Sequence, residues 1–213
     1  MYPVAYSAKY EAEGRNRLTV LFRLIVALPW AIWGALWGFV VSFSVIIAWF
    51  AVLFTGRYPQ ALYDFHASYT RFMARFHGFY SLMTDEWPSF NGEPDDSYPV
   101  RLLLPEPKKS YSRVKVFFRI ILMIPVMILA WIMGIILELV GFILWIVMIF
   151  TAKMPEGLYK PMRAANAYVI KALPFFLLMT EDFPPFWTDE ADELPAFGAD
   201  AAPAPPAPAA PAA

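Results

Sequence analysis

The sequence predicts an all-α integral membrane protein of two tandem repeats, each a transmembrane helical hairpin followed by an interfacial amphipathic helix, with scope for a short strand before each hairpin. Three observations lead there. First, residues 2–90 and 98–186 align without a gap at a constant offset of 96: Tyr2-Pro3-Val4 returns as Tyr98-Pro99-Val100, Arg23 and Pro29 as Arg119 and Pro125, and Thr84, Pro88 and Phe90 as Thr180, Pro184 and Phe186. Second, each copy carries a long apolar block, Leu24–Phe54 with no charge and Ile120–Ala152 with one, Glu138. Third, the 17 basic residues cluster outside the blocks, on segments that a pair of hairpins would leave on one side.

Composition narrows the class. At 213 residues, 59% hydrophobic, 18% aromatic and 16% charged, the chain is too apolar for ordinary globular usage. The net charge of −1 lacks the basic excess of a nucleic-acid binder. With no cysteine there is no disulfide, thiolate metal site or cysteine nucleophile. The polar, aromatic stretch 1–17 is no cleavable leader, and the first block is too long for a signal-peptide core.

The first elements are extended. Val4–Tyr10 alternates with period two, and Val100–Leu104 is its later counterpart; the pair suits a two-stranded ribbon across a pseudo-twofold axis. The blocks follow, 31 and 33 residues long. One crossing needs roughly 20 residues and two roughly 40 plus a turn, so length alone does not decide between them. Charge does. Lys9, Arg15, Arg17 and Arg23 precede the first block; nine basic residues, among them Arg57, Arg71, Arg75 and Arg101, lie between the blocks; Lys153, Lys160, Arg163 and Lys171 follow. Single crossings would set nine against eight, whereas hairpins leave all of them with the cytosol, as the positive-inside rule prefers. The reading is therefore hairpins at 18–55 and 114–152, turning near Gly38–Ser44 and Gly134–Gly141, with both termini cytoplasmic. Arg23 and Arg119 would snorkel from the first helix, Pro29 and Pro125 would kink it, and Glu138 would sit at the outer turn.

After each block a proline-marked turn opens an amphipathic helix, 60–83 and 156–179. In the first, Leu62, Phe65, Tyr69, Phe72, Phe76 and Phe79 recur at helical spacing. Aromatic and basic residues together suit a helix lying in the membrane interface, because a third transmembrane helix would carry Arg71 and Arg75 into hydrocarbon. Each copy closes with an acidic–aromatic motif, Thr84–Phe90 and Thr180–Phe186. Its acids, Asp85, Glu86, Glu181 and Asp182, are expected to face water, pair with basic residues of the other repeat, or bind a cation or partner. The tail 187–213, acidic and then Ala/Pro-rich, is expected to be disordered.

With Leu53–Pro59 (LFTGRYP), the preceding Ile47–Phe50 and the TDEWPSF and TEDFPPF closings in view, the chain resembles a bacterial membrane family catalogued as domain of unknown function 4389, in two tandem copies over nearly all of 2–186. LFTGRYP matches in full. The second copy, Phe150–Pro155, lacks its glycine and tyrosine, while Phe183-Pro184-Pro185-Phe186 keeps the family closing from which Trp87-Pro88-Ser89-Phe90 drifts. The resemblance implies a bacterial membrane location and no particular activity.

Catalysis needs a nucleophile–base pair, paired carboxylates or a metal cluster. His66 and His77, with counterparts Met162 and Leu173, offer none, so no catalytic, cofactor or metal residues are assigned. The expected role is a non-enzymatic scaffold or accessory protein engaging lipid, another membrane protein or a second copy through Arg57, Arg71, Arg75, Asp85, Glu86, Lys153, Lys171, Glu181 and Asp182. A small transporter or channel of paired hairpins, with Glu138 as ion site, is the alternative, and a lipid-headgroup enzyme ranks third.

Overall fold

A computed structural model describes residues 2–186 and 194–195. In chain order the elements are β1 (Ala5–Ala8), α1 (Arg17–Leu21), α2 (Arg23–Val26), α3 (Leu28–Thr55), α4 (Gln60–Tyr80), β2 (Val100–Leu103), α5 (Arg113–Phe117), α6 (Arg119–Thr151) and α7 (Glu156–Phe176). The expected ribbon is present: β1 and β2 are antiparallel, with Tyr6 opposite Leu102. Those two residues are counterparts at the 96-residue offset, so the pseudo-twofold axis passes between them.

The apolar blocks are not hairpins. Each is one continuous helix, α3 of 28 residues and α6 of 33, and the segments expected to turn, Gly38–Ser44 and Gly134–Gly141, are helical throughout. The glycines of the first copy serve close approach instead. A Cβ on Gly34 would lie 3.1 Å from the Phe72 ring, and one on Gly38 would lie 2.8 Å from the Tyr69 hydroxyl. Both neighbours belong to α4, which returns antiparallel along α3. α7 returns likewise along α6, with Gly141 facing Met162 and Val126 packed with Phe175. The amphipathic helices therefore pack largely inside the protein. The charge argument also counted side chains that the fold encloses. Arg15, Arg23, Arg75 and Arg119 are buried and donate to backbone carbonyls, so they do not count as free topological charges. Pro29 sits in the first turn of α3, just after the break at Ala27, whereas Pro125 is carried within an unbroken α6.

Three layers result. α3 and α6 form the first, α4 and α7 pack against each other in the second, and the ribbon covers the second on its far side. β1 runs along α7, Tyr2 Oη donating to Lys171 O at 2.6 Å and Tyr10 Oη to Met154 O at 2.7 Å. Val100 of β2 meets Gly78 of α4. The loop 91–97, with Glu93 and Asp96 exposed, lies beside the midpoint of α4: Gly92 abuts the Ser68 carbonyl, and Arg75 donates to Asn91 O at 3.4 Å and also to Glu93 O. Water must therefore reach that side along the length of the bundle.

The first layer is covered on one side only. On α3, residues such as Ile32, Leu36, Phe39, Phe43, Ile47 and Phe54 are exposed, and on α6 so are Ile121, Ile128, Trp131, Ile135, Leu139 and Phe150, up to 74% for the last. Both helices are long and apolar enough to cross a membrane.

The copies exchange their leading helices. Trp145 of α6 donates to Val20 O at 2.9 Å, and its counterpart Trp49 of α3 donates to Val116 O at 2.8 Å. α3 ends at Gly56 with φ +71°, and α6 at Ala152 with φ +55°. Only glycine adopts that region without a Cβ penalty of ~1–2 kcal/mol. Ala152→Gly should accordingly raise stability by about 1 kcal/mol and Gly56→Ala should lower it by a similar amount, read as opposite shifts in the thermal melt followed by circular dichroism.

Candidate functional site

Each repeat closes on the arginine that heads its own apolar helix. In the first, Thr84-Asp85 folds back so that the Asp85 carboxylate accepts from Asn16 N–H at 2.8 Å, the residue capping α1, and pairs with the Arg23 guanidinium. Arg23 also donates to Thr84 O at 3.2 Å and lies over the Phe79 ring at 4.1 Å. In the second, Glu181 accepts from Ser112 N–H at 2.6 Å, and Arg119 donates to Thr180 O at 2.6 Å and to Phe175 O while lying 3.6 Å over the Phe175 ring. Asp85 and Glu181 thus bind within their own repeat, not across to the other as one of the alternatives had it, while Glu86 and Asp182 are exposed. One difference follows from reach: Glu181 turns outward to Lys108 at 3.3 Å, so Arg119 keeps carbonyls and a ring where Arg23 has a carboxylate.

Each arginine lines a cavity against the apolar helix of the other repeat, and the cavities are related by the repeat. The one at Arg119, about 380 Å³, is bounded by Val45, Ile46, Trp49 and Phe50 of α3 with Ile120 and Met123 of α6. The one at Arg23, about 410 Å³, is bounded by α6 from Ala130 to Trp145 with His77, Tyr80 and Ser81. The first is apolar apart from its arginine. The second is also mainly apolar but holds a polar pair: Tyr80 Oη donates to Glu138 Oε1 at 3.4 Å, and burial, with Glu138 alongside, raises the Tyr80 phenol pKa. Burial lowers His77 to about 4, leaving a neutral imidazole at pH 7. Ser81 donates to the His77 carbonyl and not to its ring, so hydroxyl and imidazole form no nucleophile–base pair there. Glu138 itself stands on the exposed face of α6 well inside the helix, not at a turn.

A second polar cluster is closed to solvent. His66, 0% exposed, joins Tyr58 Oη at 2.5 Å and Ser44 Oγ at 2.7 Å, and Tyr58 donates onward to Leu177 O at 2.9 Å. That direction makes Nδ1 the ring's donor, while the Ser44 hydroxyl beside Nε2 also reaches Val41 O at 3.0 Å. The counterparts Met154, Met162 and Val140 fill the same place in the second repeat with apolar groups, which marks the cluster as packing. Asn166 does the reverse, donating to Tyr6 Oη at 3.1 Å and Ser81 Oγ at 3.2 Å where the first repeat has Thr70.

The residues expected to engage lipid or partners do not converge. Arg57 is exposed at the end of α3, Lys153 pairs with Glu13 at 2.7 Å at the opposite end, Glu86 and Asp182 are exposed, Arg71 is half-buried, and Arg75 and Lys171 are buried. Among the described residues no cluster of metal-ligating side chains occurs. The expectation for the tail falls outside the described residues, except that Arg101 donates to Leu194 O at 2.6 Å and Pro195 O at 2.8 Å. Arg23 and Arg119, read from sequence only as snorkelling charges, prove to organise both cavities. Their duplication at the head of each apolar block was the available signal.

A duplicated helical unit with an arginine-headed apolar helix, a returning amphipathic helix and a clamping acidic–aromatic closing defines the class. The chain belongs to the family described as Domain of unknown function (DUF4389), whose sequence model matches residues 17–91 and again 113–188. No curated protein and no solved structure matches it.

Two outcomes follow from this geometry. Asp85→Asn leaves a buried guanidinium without its counter-charge and should cost ~3–5 kcal/mol, whereas Glu181→Gln, whose partner Lys108 is partly exposed, should cost ~1 kcal/mol or less, compared by thermal melts. Burial holds His66 at about 4 against an ordinary 6.5. The unfolded chain therefore binds the extra proton between those values, and stability present above pH 6.5 is lost as the pH falls toward 4, by up to ~1.4 kcal/mol per unit. His66→Met, copying the second repeat, should roughly halve the slope of that part of the stability–pH curve, His77 supplying the rest.

Proposed function

We propose that this is a non-enzymatic accessory protein seated in one leaflet of a membrane, with α3 and α6 lying in the plane of the bilayer and the ribbon turned to water. The observation that carries the reading is the division of the molecule into an apolar outer layer and a solvated far side. The outer half of α3 and α6 exposes large apolar side chains along its length, and a patch that size calls for lipid or protein cover. An upright bundle would carry Glu93, Asp95, Asp96 and the edges of the ribbon into hydrocarbon, because the loop 91–97 lies beside the midpoint of α4. Unpaired backbone and charge are costly there. Helix length agrees. At 1.5 Å per residue α3 and α6 extend about 42 and 50 Å, beyond the ~30 Å of hydrocarbon, and an in-plane helix has no such limit.

In this seat the basic residues at both ends of the bundle stay on one side, as the charge distribution of the sequence favours. The partners are the lipid bilayer and, through the solvated ribbon side, another protein. A transporter role draws on Glu138 and Tyr80 in the cavity at Arg23; its signature would be ion flux into liposomes that Glu138→Gln abolishes.

Because the chain has no cysteine, single cysteines report cleanly. Arg57 and Lys109 mark one end of the bundle, and Glu13 and Lys153 mark the other. The in-plane seat predicts that cysteines at all four positions share one accessibility to an impermeant maleimide, protected in intact cells and labelled after lysis. Labelling of one pair from outside and the other only after lysis would mean that the helices cross.

A further inference from the structure

Resting on the membrane seat proposed above, we infer that the cavity at Arg119 is a binding site for an acidic phospholipid, with the phosphate on the guanidinium and one acyl chain along the groove between α3 and α6. The argument is a charge balance between two related places. Arg23 and Arg119 head equivalent helices, stack on equivalent rings and donate to equivalent carbonyls. Arg23 is neutralised by Asp85. Glu181, in the place of Asp85, instead caps Ser112 and pairs with Lys108. Arg119 is only 3% exposed, and among the described residues no carboxylate is in salt-bridge contact with its guanidinium, Glu181 acting on it only through space.

A buried cation that lacks an anion calls for one, and the open space beside this one dictates which kind. Apolar side chains, Ile46, Trp49, Phe50, Ile120 and Met123 among them, make the rest of the wall, so a small hydrated ion would leave most of the cavity of about 380 Å³ unfilled. A head group with an attached acyl chain meets both needs. Arginine's planar array of N–H donors suits phosphate oxygens, and Arg119 spends one terminal nitrogen on the carbonyls of Phe175 and Thr180. The related cavity at Arg23 presents Glu138 and Tyr80 and has its guanidinium already paired, so the same ligand is disfavoured there.

The test is native mass spectrometry of the delipidated full chain in detergent micelles, offered equal amounts of dioleoylphosphatidylglycerol and dioleoylphosphatidylcholine. The expected result is one phosphatidylglycerol adduct favoured about tenfold, because the choline cation of phosphatidylcholine already neutralises the phosphate that both lipids carry, and not displaced by millimolar inorganic phosphate. Arg119→Gln should abolish the preference. Met123→Trp, which narrows the groove and leaves the guanidinium in place, should abolish the adduct with the melt unchanged, and it decides the matter if Arg119→Gln fails to fold. Equal uptake of the two lipids by the unmodified chain, displacement by free phosphate, or an adduct indifferent to Met123→Trp would overturn the site. Micelles impose no orientation, so these outcomes are separate from those of cysteine labelling, which bear on the seat alone.

Discussion

Water cannot solvate the outer half of α3 and α6, and it must reach the loop beside the midpoint of α4. Those two demands fall on opposite sides of one slab, and the rest of the architecture meets them. The amphipathic helices α4 and α7 stand between, presenting aromatic side chains such as Phe72 to the apolar layer and small residues such as Gly78 and Ala167 to the ribbon side. A helix that read as interfacial in isolation is an internal spacer, because its apolar face already has a protein partner. The proposed in-plane seat meets both demands and keeps the loop 91–97 in water, leaving Glu138, bonded to Tyr80, on the exposed side of α6.

Duplication supplies the frame, and divergence supplies the difference in chemistry. Both copies keep the arginine over a phenylalanine ring, the closing segment on the helix cap, the tryptophan donating across to the other copy, and the threonine that closes the turn after each apolar helix. They part where a side chain is one methylene longer or where a polar group becomes methionine. Glu181 for Asp85 releases Arg119 from a carboxylate. Phe176 for Tyr80 and Ser42 for Glu138 leave the Arg119 cavity without the polar pair of the Arg23 cavity. Two cavities built alike thus differ in charge, and that contrast motivates the assignment of an acidic lipid to one and not the other.

Much of this was legible in the sequence. The offset of 96 gave the two units, the period-two stretch at Val4–Tyr10 gave the ribbon, and the helical spacing from Leu62 to Phe79 gave α4 nearly to its ends. The path of the apolar blocks was not legible. A glycine such as Gly38 reads the same whether it permits a turn or the approach of Tyr69, and only the neighbour distinguishes the two. Nor does an arginine announce its burial. Counting Arg23, Arg75 and Arg119 as free charges assumed water around them, and carbonyls from segments up to 61 residues away supply what water would have. Of the candidate contact residues, Asp85 and Glu181 proved to be clamps, while Arg57 and Lys153 merely mark the two ends.

The orientation of the long helices tests the account most directly. Polarised infrared dichroism of the amide I band, on the protein in aligned bilayers, reports the mean angle between helix axes and the membrane normal. With most helical residues in α3, α4, α6 and α7, the in-plane seat predicts axes close to the membrane plane. Axes clustered near the normal would contradict it, and with it the division of the molecule into a lipid face and a water face.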